Sequence, residues 1–71
     1  MKLLGQEEDQ VDVRLTIDEL VLLRNTLNEF CNGMHLTDND FLVILDTSRS
    51  EAEELLLRLT SAVDRLKYHP E

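Results

Sequence analysis

The sequence predicts a mainly α-helical fold in which one N-terminal β-strand is followed by three helices, in the order β-α-α-α. A helix start signal, a hydroxyl residue three places before an acid, occurs three times. Apolar residues recur at helical spacing after the first and third signals. Only residues 11–15 show the strict alternation of apolar and polar side chains that is typical of a half-buried strand.

The predicted strand covers residues 11–15, where Val11, Val13 and Leu15 alternate with polar side chains. Residues 1–10 precede it, show no period and are predicted to form a flexible acidic N-terminus. A strand needs a neighbour for its backbone N–H and C=O groups, so this one requires a partner.

The sequence leaves three partners for the strand open. Leu3 and Leu4 can pair back on it, although no good hairpin turn lies between. The apolar segment 41–45 fits either a strand or a buried helix by its period. The same strand of a second molecule can also pair with it about a two-fold axis.

Helix one is predicted from about Ile17 to Asn32, with Thr16 as its N-cap and Gly33 as its left-handed stop. At 100° per residue, one face of this helix collects large apolar side chains. They are Leu20, Leu23, Leu27, Phe30, Cys31 and Met34. Leu22 points away from that face, between two acidic residues.

Helix two is predicted from about Asp38 to Asp46 and is apolar almost all round, so we expect it to be the most enclosed element. Helix three is predicted from about Arg49 to Lys67, and Leu57 lies on its polar side. Its apolar face comprises Ala52, Leu55, Leu56, Leu59, Ala62, Val63 and Leu66. Together these elements predict a single domain over residues 11–67, followed by a tail over 68–71.

The corner between helices two and three has the outline of a helix-turn-helix. In DNA-binding proteins the first turns of the second helix enter the major groove and need side chains that bind bases and phosphates. Here those turns carry Glu51, Glu53 and Glu54 against a single Arg49, so a phosphate would meet like charge. The likeness is therefore interpreted as one of shape, and no nucleic-acid partner is expected.

Composition limits the function classes further. Seventy-one residues make one domain with a thin margin of stability, and the net charge of −8 disfavours nucleic acids and anionic membranes. The single cysteine, Cys31, excludes an internal disulfide, which fits a reducing compartment. No apolar run resembles a secretion signal or a transmembrane segment, so the cytoplasm is expected.

Residues with metal-binding or catalytic chemistry do not form a recognisable site. Asp38 and Asp40 lack the glycine and the distant acid of a calcium loop. Cys31 and His35 have the spacing of two ligands on one helix, but Gly33 lies between them and no second pair exists. We therefore predict no metal, no cofactor, no small-molecule substrate and no enzymatic activity.

Two stretches carry a resemblance to known sequences. Leu15-Thr16-Ile17-Asp18-Glu19-Leu20, continued by Leu27-Asn28-Glu29-Phe30-Cys31-Asn32-Gly33, resembles the opening of a group of short, uncharacterised bacterial proteins. Arg49-Ser50-Glu51-Ala52 with Leu55 and Leu56 is similar to their second half. The likeness covers most of residues 11–66. It implies a bacterial, cytoplasmic domain and carries no activity.

Off-face leucines on two helices, together with the strand, indicate a second packing surface. We therefore predict a non-catalytic protein–protein interaction module that forms a small cytoplasmic homodimer. The candidate interface residues are Val11, Val13, Leu15, Leu22 and Leu57. The alternative, by size and charge, is an acidic inhibitor of the immunity or antitoxin kind that binds a basic partner. A helix-turn-helix-like nucleic-acid regulator is a third, weaker alternative.

Overall fold

The computed structural model describes residues 1–68 and consists of an antiparallel β-hairpin followed by three helices. The strands are β1 (Lys2–Glu7) and β2 (Gln10–Arg14), and the helices are α1 (Ile17–Asn28), α2 (Asp38–Asp40) and α3 (Arg49–Tyr68). About two thirds of the described chain is helical, so the predicted mainly α fold with three helices is confirmed. Of the predicted tail, Tyr68 closes α3 and residues 69–71 lie outside the described part.

The N-terminus contains a strand that the sequence did not predict. β1 pairs with β2, with Leu3 opposite Val13 and Gly5 opposite Asp12. The register shifts between Leu3 and Gly5, which leaves Leu4 as an extra residue in a bulge. This bulge interrupts the alternation by which a strand is recognised, so the prediction of one strand and of an irregular segment over 1–10 is wrong. Of the three partners left open for β2, the structure contains the pairing with Leu3.

The three helix start signals form as predicted. In each, the backbone N–H of the acid donates to the hydroxyl oxygen at 3.1 Å, and the carboxylate accepts the backbone N–H of the hydroxyl residue at 2.9–3.3 Å. The pairs are Thr16 with Glu19, Thr37 with Asp40, and Ser48 with Glu51. These bonds satisfy N–H groups that have no partner inside the helix.

Two of the helices end in a single turn of π-helix. α1 continues into the first π turn (Glu29–Gly33), and α2 continues into the second π turn (Phe41–Leu45). Gly33 lies inside the first π turn without a positive φ, so the predicted left-handed stop at this residue is wrong. The left-handed residue is Asp46, with φ of 56°, which ends the second π turn. Aspartate tolerates this conformation better than most residues.

The core lies where the first π turn, the second π turn and α3 meet. Its buried members are Cys31, Phe41, Ala52 and Leu56, and Leu27, Leu36 and Leu45 pack against them while partly buried. Leu20 and Val63 are buried outside this cluster. Within residues 1–68 only these six apolar side chains are buried, and none of the helices there has the length and apolarity required to cross a membrane.

The second π turn is exposed, which contradicts the prediction that helix two is the most enclosed element. Phe41 is fully buried, but Leu42, Val43 and Ile44 are 56%, 74% and 55% exposed. One turn of helix points its side chains in all directions, and the neighbouring elements cover only the side that carries Phe41. Four apolar residues of the predicted faces of helices one and three are also about half exposed. They are Leu23, Met34, Leu55 and Leu66.

Candidate interaction surface

An uncovered apolar groove runs between the helical faces that the sequence assigned to the core. It has a volume of about 320 Å³. Its lining residues are Leu23, Thr26, Leu27, Phe30, Leu45, Leu55 and Leu59, which we call the apolar groove. None of them is charged, and the Thr26 hydroxyl donates at 2.8 Å to the carbonyl of Leu22 in its own helix. The groove therefore offers a ligand almost no polar partner.

The groove exists because the apolar faces of the two long helices are wider than their contact. Leu20 and Cys31 lie on the buried side of helix one, whereas Leu23 lies at the margin of its apolar face and is half exposed. On α3 the same division separates buried Leu56 from half-exposed Leu55. These margins of the two apolar faces are exposed. In a larger domain, a further helix or strand would cover them.

Two of the predicted interface residues lie together beside the groove. Leu15 and Leu22 line a shallow cavity of about 190 Å³ with Met1, Glu19 and Leu23. Leu23 also lines the apolar groove, so the two depressions adjoin. Leu22 is 65% exposed, as its position off the core face predicts. The apolar surface thus extends from the base of the hairpin to α3.

Val11 and Val13 lie on one face of the hairpin. Val13 is directly opposite Leu3, and such pairs project on the same side of an antiparallel sheet. Val11, two residues along β2, shares that side. All three are exposed, and the hairpin makes few contacts with the helices. A two-stranded hairpin with an uncovered apolar face is marginally stable by itself.

Leu57 is separate from the other predicted interface residues. It is 69% exposed and lines a different depression on α3 with Arg58, Ser61, Ala62 and Arg65. The structure therefore places Leu15 and Leu22 in one cavity, and Val11 and Val13 on one face of the hairpin. Leu57 lies apart from them, on the charged side of α3.

The most exposed apolar segment was missed by the sequence analysis. Leu42, Val43 and Ile44, which we call the exposed triplet, follow buried Phe41 and precede groove residue Leu45. A signal was present in the sequence, since a segment that is apolar on all sides needs neighbours on all sides. A chain of 71 residues with two long helices does not supply them.

The surroundings of Cys31 disfavour the reactive thiolate form. It is buried, and burial raises the pKa of the thiol, with the negative charge of Glu53 acting in the same direction and Arg49 opposing it. A thiol with a raised pKa stays protonated at neutral pH and is a poor nucleophile. Over residues 1–68, no group of three or more His, Cys, Asp or Glu side chains is placed to hold a metal ion.

The molecule is more open than a folded chain of its size. Its accessible surface is 5882 Å², against about 4,500 Å² expected for a compact monomer of 8.2 kDa. Its radius of gyration is 13.7 Å, against about 11 Å expected for 71 residues. The shape is flat, with extents of 40 × 33 × 16 Å. The exposed surface includes large apolar side chains, among them Leu22, Val43 and Leu57.

No protein-family model, no curated protein and no solved structure matches this chain.

Proposed function

We propose that this protein is a non-catalytic protein–protein interaction module that works as a small homodimer. The observation that carries the proposal is the surplus surface of about 1,400 Å² relative to a compact monomer of this mass. A stable interface of standard size buries about 800 Å² on each partner, and obligate homodimers bury more. The surplus is therefore large enough for a complete interface.

The chemistry of this surface favours association through apolar contacts. The apolar groove contains no charged side chain, and the exposed triplet is three consecutive large aliphatic residues. Contiguous exposed apolar patches on a small protein mark interaction sites. A chain that buries so few residues has a thin margin of stability. A partner that covers its exposed apolar side chains adds to that stability.

The residues proposed for the interface from the sequence remain candidates. Val11 and Val13 offer the open hairpin face, Leu15 and Leu22 adjoin the apolar groove, and Leu57 offers a separate surface on α3. We propose the cytoplasm as the compartment, because a single buried cysteine requires no oxidising environment.

Sedimentation velocity or light scattering at micromolar concentration tests the homodimer. We expect a mass of about 16 kDa, twice the chain mass of 8.2 kDa. An 8.2 kDa monomer over the whole accessible concentration range would overturn the proposal.

A second candidate function is that of an acidic inhibitor or antitoxin-like protein that binds a basic partner. The observation that favours it is the net charge of −8, with Glu7, Glu8 and Asp9 as the longest run of consecutive acids, at the end of β1 and in the hairpin turn. A complex held by such charges weakens steeply with salt, whereas an apolar complex does not. Loss of a captured basic partner at about 1 M NaCl would support recognition through charge, whereas its retention would indicate recognition through apolar contacts.

A helix-turn-helix-like nucleic-acid regulator is the third candidate. A short turn, Asp46 to Ser48, links the second π turn to α3. The start of α3 carries Glu51, Glu53 and Glu54, which repel phosphate, and Arg49 is engaged with Asp38. A salt-dependent gel shift with duplex DNA is the measurement that would support this function.

A further inference from the structure

We infer that the exposed triplet of one copy seats in the apolar groove of a second copy, and that the second copy does the same in return. This inference rests on the proposed homodimer and names the surface through which it forms.

The exposed triplet is the segment of the chain that most requires a partner to exclude water from its side chains. Val43 is the most exposed of its residues and projects away from Phe41, which anchors the turn in the core. Helical segments that are apolar on every side are found buried, because exposing the apolar side chains of any side to water is unfavourable. Only the Phe41 side is buried within the chain, so the other sides require a partner.

The apolar groove has the chemistry and the size to receive aliphatic side chains. Its walls carry no charge, and its single hydroxyl is bonded within its own helix. A cavity of about 150 Å³ holds a benzene-sized group, so about 320 Å³ accommodates two side chains of the triplet. The groove is open, so these side chains can enter without unfolding it.

The placement of triplet and groove favours a second copy as the occupant. Leu45 belongs to the second π turn and also lines the apolar groove, so the two features adjoin on one surface. In a two-fold dimer, a contact from triplet to groove is repeated automatically in the opposite direction. A single rotation therefore covers both apolar features of both chains.

Neither the triplet nor the lining of the groove carries a charge, so their contact buries no charged side chain. Acidic residues lie close by, since Asp40 and Asp46 flank the second π turn. Leu42 also lines a depression that includes Asp38 and Glu53. Each copy carries a net charge of −8, so repulsion between the copies opposes this contact and is screened by ions.

Two matched substitutions test the surface. Val43 and Leu57 are 74% and 69% exposed, so neither Val43→Asp nor Leu57→Asp empties the core. We expect Val43→Asp to weaken the dimer by about 100-fold or more, because a carboxylate would be buried at both copies of the contact. Leu57→Asp should change the dissociation constant by less than about threefold. Far-ultraviolet circular dichroism of both variants checks that the helices remain.

The outcomes separate this inference from the proposed homodimer. If the wild-type chain is dimeric but Leu57→Asp or Val13→Asp dissociates it while Val43→Asp does not, the inference is overturned and the homodimer stands. If the wild-type chain is monomeric, both the inferred contact between triplet and groove and the proposed homodimer are overturned. Loss of the dimer in Val43→Asp alone supports both.

Cross-linking between separately labelled chains tests the seating itself. In a Cys31→Ala background that retains the dimer mass, chains carrying Ile44→Cys are mixed with chains carrying a cysteine at Leu23, Leu55 or Leu59 and treated with a short bis-maleimide. We expect a cross-linked species of two chain masses for at least one groove position, and none when the second cysteine replaces Leu57. Cross-linking of Ile44→Cys chains only with themselves would show that the triplets meet each other, and it would overturn the seating. Absence of a product at all three groove positions would also overturn it.

Discussion

The guanidinium of Arg49 lies 4.5 Å from the centre of the Phe41 ring, and Phe41 is fully buried. The same guanidinium donates from Nε to a carboxylate oxygen of Asp38 at 2.9 Å and from a terminal nitrogen to the carbonyl of Leu36. Arg49, the first residue of α3, thus contacts both the start of α2 and the Phe41 ring, which anchors the second π turn in the core. This arrangement directs the exposed triplet outward.

Removing the charge of Arg49 should lower the free energy of unfolding. We expect Arg49→Met to cost about 1–2 kcal/mol, because the cation–π contact and the bond to the Leu36 carbonyl are lost while the aliphatic stem is kept. Arg58→Met is the control, since the Arg58–Glu54 ion pair is exposed and 3.7 Å long, and we expect it to cost less than about 0.5 kcal/mol. Urea denaturation measures both. Equal losses would contradict the role of Arg49.

The cap of α3 should contribute a measurable part of the stability. Ser48→Ala removes the hydroxyl that accepts the Glu51 N–H at 3.1 Å, so we expect a loss of about 1 kcal/mol. Ser61→Ala is the matched control, because Ser61 lies exposed inside the same helix, where alanine is the better helix former. The control should be neutral or slightly more stable in thermal denaturation. A loss in Ser61→Ala as large as that in Ser48→Ala would argue against the cap.

Acid should weaken the same cap. The backbone N–H of Ser48, and then the hydroxyls of Thr47 and Ser48, lower the pKa of Glu51 in the folded chain. A carboxylate whose pKa is lowered by folding stabilises the fold above the unfolded value of about 4.3, and this stabilisation disappears as the pH falls through the folded pKa.

The pH dependence can be assigned to Glu51 with one variant. We expect the free energy of unfolding of Glu51→Gln to fall less between neutral pH and about pH 3 than that of the wild type, because glutamine does not titrate. Glu8→Gln, at the hairpin turn, serves as the control, because it removes one carboxylate outside the three helix caps. If the slopes of Glu51→Gln and the wild type coincide, the cap does not contribute to the pH dependence.

Salt should strengthen the proposed homodimer. Each chain carries a charge of −8, so repulsion between the copies opposes an apolar contact and is screened by ions. Raising NaCl from about 0.1 M to about 1 M shortens the Debye length from roughly 10 to 3 Å, and the dissociation constant should fall. Sedimentation equilibrium at both concentrations measures it. A dissociation constant that rises with salt would instead indicate an interface held by ion pairs.

Local features of the fold were predictable because their causes lie within one helical turn. Each start signal joins a hydroxyl residue to an acid three places away, as between Thr16 and Glu19, so no distant contact is needed. Helical spacing likewise indicated that Leu22 and Leu57 lie off the core faces, and both are exposed. Their part in an interface stays a prediction.

The sequence by itself therefore determined the three helix starts, the mainly helical class and the exposure of two leucines, because these depend on neighbours along the chain. Only the tertiary structure decided that Leu3 pairs with Val13 across a bulge and that Val43 points into solvent. The first depends on a register between separate segments, which a bulge changes without altering the local pattern. The second depends on how much surface α1 and α3 can cover, and a chain this short leaves the second π turn open on most of its sides.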